Sequence, residues 1–308
     1  MLRRSVHRLA ATALAAAAGL ALTCEARAGD FHLCDRQARL SAAQQDTLYR
    51  FADIIKRSLD QSGHSVALVA RSGLDLGRFG IRYSHAGIAL ARSENAPWSV
   101  RQLYYACDEG KPRVYDQGIS GFLLGTDNPA IGYLSVVLLP DEQARPLEQA
   151  ALDKRQALRV LGSQYSANAY AFDVRYQNCN QWVMELLAAA WGGVSGADGL
   201  DERRAAQDWL QAQAYEPSVV DVGSAWLMWA VPFVPFVHTD DHPVHDLAQK
   251  QFRISMPAAI EAFVQREIPQ AQRIEFCHVE QRVVVHRGWS QIPEGCLPSA
   301  GDTVIDLD

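Results

Sequence analysis

Several absences narrow this sequence before any motif is read. No run or stripe of Lys and Arg occurs, and the formal charge of the 308 residues is −6. Nucleic acid is therefore not expected as a partner, because holding phosphates needs clustered cations. No apolar stretch reaches the roughly 20 residues of a membrane span. The nearest are Leu9–Leu22, and Ala225–Val237 with Pro232 and Pro235 inside it. There is no internal repeat. Cysteine is scarce, six residues in all.

What is present begins with a leader. Arg3, Arg4 and Arg8 precede the short apolar run, and Ala26-Arg27-Ala28 follows it. This order is read as a cleavable signal peptide over residues 1–28, cut after Ala28. A lipoprotein cut before Cys24 would want a smaller residue than Thr23. Removing 28 of 308 residues leaves 280, and removing four Arg and one Glu takes the charge from −6 to −9. The expected location is periplasmic or secreted, with no transmembrane segment in the mature chain. Export permits disulfides. Five cysteines remain, Cys34, Cys107, Cys179, Cys277 and Cys296, so at least one stays out of internal pairs. Cys277 and Cys296 flank a strand-like run and are plausible partners. Cys34 and Cys107 could then pair and leave Cys179 free, although all five reduced and buried is an open alternative.

Periodicity organises the rest. Leu48, Phe51, Ile55 and Leu59 recur at helical spacing over Ser41–Ser62, with Ser41 as N-cap and Gly63 as stop. Ser65–Ala70 reads as a strand, Ser72–Gly80 as a loop, and Ile81–Ala91 with Trp98–Cys107 as an antiparallel hairpin. Val114–Gly125 reads as an irregular connection and Ile131–Leu139 as a strand. Pro146 suits the first turn of a helix running to about Leu161. A second helix runs from about Asn178 to Trp191. Asp201–Ala214 and Ala258–Ile268 read as helices, and Ile274–Val279 with Arg282–His286 as a terminal hairpin. The expected architecture is α+β, with a core over 29–192 and a C-terminal extension, 193–308, packed on it.

Two residues carry the chemistry. Cys179 lies at the first turn of a helix, where unpaired N–H groups and the helix dipole favour a thiolate. His85, in Tyr83-Ser84-His85-Ala86-Gly87-Ile88, opens a strand that could aim its imidazole. Such a pair performs acyl transfer: the sulfur attacks a carbonyl and the imidazole handles the proton. His-x-Gly-Ile at a strand start, followed much later by Asn178-Cys179 and Trp182-Val183 at a helix start, resembles the permuted NlpC-type branch of the papain-like fold. Lecithin-retinol-acyltransferase-like proteins share that branch. The matched core spans about Ser65–Gly192. The full-length pattern resembles more closely a bacterial family, domain of unknown function 2145, which implies no activity.

The fold resemblance implies a third polar residue from the strand after the histidine strand. The slot falls in Leu103-Tyr104-Tyr105-Ala106, most naturally at Tyr105, with Gln102, Asp108 and Glu109 a small register shift away. A tyrosine departs from the His, Glu, Gln or Asn usual there. The expected function is an exported thiol hydrolase or acyltransferase acting on an amide or ester of the cell envelope. By resemblance and compartment, peptidoglycan peptides lead as substrate class and lipid acyl groups follow. The rival is a catalytically silent envelope binding or assembly module. No cofactor is expected, and no metal, although His238, Asp240, Asp241, His242, His245 and Asp246 crowd one loop. Tyr165, Tyr170, Phe172 and Tyr176 could line a groove beside Cys179 or simply pack. His278, Glu280 and His286 read as surface residues.

Overall fold

The computed structural model describes residues 40–126, 128–194 and 198–307. The expected leader and Cys34 lie outside them. Ser41 starts the Ala42–Gln61 helix with a capping box, its hydroxyl accepting from the Gln44 N–H and Gln44 accepting from the Ser41 N–H. Leu48, Phe51, Ile55 and Leu59 are buried on one side of that helix.

The central element is one eight-stranded sheet with β1 Val66–Arg71, β2 His85–Leu90, β3 Ser99–Ala106, β4 Lys111–Gln117 and β5 Ile131–Leu138. The C-terminal third adds β8 Gln272–Val279, β9 Arg282–Arg287 and β10 Thr303–Asp306. A separate two-stranded ribbon joins β6 Ser218–Asp221 to β7 Gln251–Ile254. The large sheet runs β10-β9-β8-β5-β1-β2-β3-β4, and its pairings are antiparallel. Together with the helices this makes the chain α+β. The C-terminal region shares the sheet through β8 on β5, rather than only resting against it.

Both faces of the sheet are covered, which is why β1 and β2 carry almost no polar alternation. Val66, Leu68, Ala86, Ile88, Leu90 and Leu103 face one cluster, packed by the helices Asp141–Leu152, Cys179–Gly192 and Pro257–Glu267. Ala67, Val69, Ala89, Val100, Leu134 and Phe276 face the other, packed by the Ala42–Gln61 helix and the short Ile119–Leu123 helix. Each fully buried Leu, Ile or Phe is worth about 1.5–3 kcal/mol, so the two layers outweigh the weak strand signals locally.

Three expectations are corrected. Val114–Gly125 is not irregular: it contains the end of β4 and the Ile119–Leu123 helix. β4 lies at the sheet edge and is largely polar, so it shows no apolar alternation. Pro146 is not in a first turn; the helix starts at Asp141 and Pro146 lies inside it. His278 is buried at 1 % exposure, because β8 is an interior strand whose even positions face the Ala42–Gln61 helix, with Phe51 and His278 ring centroids 4.7 Å apart. Cys277 is joined to Cys296, Cys107 is disulfide-bonded, and Cys179 is a free thiol. Among the described residues no helix is long and apolar enough to cross a membrane. The Ala225–Val237 stretch instead forms a short helix and a 3₁₀ turn, with Trp226, Trp229 and Phe233 exposed.

Candidate active site

Asn178 caps the Cys179–Gly192 helix, its side chain accepting from the Gln181 N–H at 2.7 Å. That places Cys179 at the first helical position. The next residue, Asn180, fastens the helix to the histidine strand. Its Oδ1 accepts from the Ala86 N–H at 2.8 Å and its Nδ2 donates to the Ser84 carbonyl at 3.2 Å. The clamp is possible because β2 and β3 pair only from Ile88 onward, which leaves the edge at Ser84–Ala86 open to a side-chain amide. The Cys179 sulfur lies 4.0 Å from the same Ser84 carbonyl. The thiol is thus held against the backbone that carries His85. Gly87 completes the motif: a Cβ there would meet Val100 Cγ1 at 2.4 Å and Gln102 Cβ at 3.3 Å.

His85 is oriented by Gln102. The ring Nε2 and Gln102 Oε1 are 2.7 Å apart, and Gln102 Nε2 donates to Gln117 Oε1 at 2.8 Å. With Oε1 as acceptor, Nε2 carries the proton and Nδ1 keeps the lone pair needed by a base. Tyr104 stacks on the imidazole at 4.7 Å and Phe122 lies 5.8 Å away. Tyr105 is not there. Strand alternation sends it to the other face of β3, against Tyr165 at 5.5 Å and Phe236 at 4.5 Å. Three positions, an odd number, separate the expected residue Tyr105 from Gln102, and Gln102 and Tyr104 share the face of His85. Asp108 and Glu109 fall in the β3–β4 turn, where Glu109 pairs with Arg113 and Lys111.

The electrostatics differ from the helix-start expectation. Cys179 is only 6 % exposed. Burial pushes its thiol up to about 11, against the opposing pull of Arg71 and of the backbone N–H groups of Asn180, Ala86 and Cys179. Burial, and then the charge of Arg71, bring His85 down to about 3, opposed by its bond to Gln102. Desolvation outweighs the helix terminus, so at rest the thiol and the imidazole are both neutral.

The C-terminal region packs beside this helix start. Phe236 packs on Tyr105 and Tyr165 and its carbonyl accepts from the Ala167 N–H at 2.7 Å. Met256 Sδ lies 3.8 Å from Asn180 Nδ2. Of the four aromatics expected near a groove, Tyr165 is the one whose hydroxyl responds to charge on Cys179, after the larger effect of its own burial. Phe172 packs against Tyr170 and Tyr215, and Tyr176 stacks on His238 at 4.2 Å. A cleft of about 320 Å³ opens at the same end of the sheet, lined by Ser72, Gly73, Asp75, Arg82, Thr126 and Glu294 among others. Its Leu74 N–H donates to Ser84 Oγ at 3.0 Å, one residue from His85.

The His-rich loop is dispersed. His242 Nε2 donates to the Asn168 carbonyl at 2.7 Å, His238 stacks on Tyr176, and His245 is turned outward. Among the described residues no three His, Cys, Asp or Glu side chains are grouped to hold a metal.

The fold and site define an α+β protein with a free cysteine at a helix start fastened to a histidine strand. The chain belongs to the DUF2145 family, described as an uncharacterized protein conserved in bacteria, whose profile matches residues 58–264. That span includes Arg71, His85, Gln102, Cys179 and Asn180. Comparison with curated proteins and with solved structures gave no match.

Proposed function

We propose that this chain is an exported thiol hydrolase or acyltransferase acting on an amide or ester of the cell envelope, built on a papain-like, permuted NlpC-type core. The observation that carries the reading is the Asn180 clamp, which fixes the free thiol of Cys179 against the Ser84–Ala86 backbone while Gln102 sets the tautomer of His85. Cys179 is the nucleophile. His85 is the general base: its neutral imidazole takes the thiol proton as the carbon–sulfur bond forms, then returns it to the leaving amine or alcohol. Water or another acceptor then releases the acyl group. Peptidoglycan peptides are the first substrate class to try and lipid acyl groups the second.

The burial of Cys179 favours a second reading, a catalytically silent envelope binding or assembly module. An activated small ester distinguishes them. Intact-mass and peptide mapping should find an acyl group on Cys179 in the wild type and none in His85→Ala or Cys179→Ser. Absence of the adduct in a folded wild type, or equal labelling in His85→Ala, supports the silent module.

A further inference from the structure

Among the described residues the four most buried arginines are Arg71, Arg101, Arg203 and Arg273. Three of them sit on carboxylates: Arg101 on Asp116, Arg203 on Glu185, and Arg273 on Glu261 and Glu275. Arg71 does not. Among the described residues its partners are neutral oxygens: the Ser72 carbonyl at 3.3 Å, the Gly125 carbonyl, and the Tyr104 hydroxyl at 2.8 Å. Its Nε has no partner. An unpaired buried cation costs several kcal/mol unless something negative offsets it.

The pocket is nonetheless shaped for the guanidinium. A Cβ on Gly73 would meet Arg71 Nη1 at 2.5 Å, and one on Gly125 would meet Nη2 at 2.3 Å. Phe122 underlies it with 5.3 Å from Cζ to the ring centre. The cradle adjoins the histidine strand. Arg71 is the register partner of His85 across β1 and β2. Tyr104, which accepts from Arg71, is the ring stacked on His85. A Cβ on Gly73 would also lie 2.8 Å from Ser84 Oγ, and the Ser84 carbonyl is the one beside the Cys179 sulfur.

We propose that Arg71, rather than an imidazolium preformed on His85, is the cation that compensates the negative charge formed on the Cys179 sulfur. This rests on Cys179 being the nucleophile. Burial holds both His85 and Tyr165 neutral, so Arg71 is the fixed charge of the site. It favours the thiolate and disfavours the imidazolium, which leaves His85 neutral and able to act as a base. A charge-compensating role differs from a packing role in its pH signature.

The test is the pH profile of Cys179 alkylation by iodoacetamide in the full exported chain. The described cysteines Cys107, Cys277 and Cys296 are in disulfides, so Cys179 is followed by peptide mapping without reduction. Arg71→Gln should move the profile upward by about one pH unit, about tenfold slower at a fixed mildly alkaline pH, and Arg71→Lys should restore most of it. A folded Arg71→Gln protein with the wild-type profile overturns the proposal. Wild-type protein gives a second, independent readout: ¹⁵N NMR of the His85 ring should show neutral imidazole throughout the range in which Cys179 ionises. Imidazolium there overturns the proposal whether or not the variants fold. A profile that follows His85 and not Arg71, with acyl transfer intact, overturns Arg71 alone. A folded wild type that forms no acyl-enzyme overturns the nucleophile reading, and Arg71's role with it.

Discussion

Two stretches of one helix treat buried polarity in opposite ways. At Glu185, near the middle of the Cys179–Gly192 helix, a fully buried carboxylate accepts from Gln177 at 2.6 Å, from Arg203 at 2.7 and 3.1 Å, and from Gln207 at 2.7 Å. Charge and hydrogen-bonding capacity are both matched. At the N-terminus, Cys179 is buried with a high pKa, and nearby Arg71 has no carboxylate partner among the described residues. The middle is saturated as a structural network is, whereas the start keeps charge unspent. Buried groups left unsatisfied on stable elements are where chemistry is to be sought.

The contrast is broken most directly by removing Glu185. Glu185→Ala strands Arg203 in the core and should cost about 3–5 kcal/mol in urea unfolding. Cys179→Ala removes one sulfur atom from a packed site and should cost about 1 kcal/mol. Comparable losses in the two variants would mean that the helix start is as structural as its middle, and would weaken the functional reading of Cys179.

The sequence made the elements with strong periodicity legible. The Ser41 capping box, the hairpin around His85, the Cys179 helix and the terminal hairpin are where spacing placed them. Free Cys179 and the Cys277–Cys296 bond also emerged from cysteine counting. The sheet order did not. That β8 lies beside β5 depends on contacts over 130 residues apart, and His278 was consequently misplaced on the surface. Arg71 was invisible because an arginine at a strand end reads as solvated; only the missing carboxylate marks it. Asn180 had a faint signal, the Asn-Cys-Asn triplet, but a side chain that imitates a strand partner requires the open edge of β2 to be seen. The helix-start rule erred on Cys179 because it weighs the dipole and omits burial.

A second comparison separates two of the three buried histidines among the described residues. His85 has Gln102, while both ring nitrogens of His278 lack a partner among the described residues. Burial brings His278 down to about 4, against about 6.5 in an unfolded chain. The unfolded state therefore takes up the proton first as pH falls. Stability should be complete above about 6.5 and decline toward about 4, by roughly 3 kcal/mol for this group alone. His85, down to about 3, adds a loss of the same sign that extends further into acid. His278→Leu should flatten the decline between these limits in urea melts across pH. An unchanged slope would show that His278 is reached by water in the folded state.

The smallest expected effect concerns Tyr105, and it sharpens the assignment of the orienting residue. Gln102 touches the His85 ring; Tyr105 touches Tyr165 and Phe236 through its own ring. Gln102→Ala removes the acceptor that fixes the Nε2–H tautomer, so the base nitrogen is no longer set. Acylation of Cys179 by an activated ester should slow by about tenfold or more, in line with a lost buried hydrogen bond of about 1.5 kcal/mol. Tyr105→Phe keeps the aromatic contacts and deletes only a hydroxyl pointed away from the imidazole. Its rate should stay within about twofold of wild type, since one tenfold step requires about 1.4 kcal/mol that this hydroxyl does not contribute. If Tyr105→Phe slows acylation more than Gln102→Ala does, the imidazole is being oriented from the other face of β3. The side of the sheet on which His85 works would then have to be reassigned.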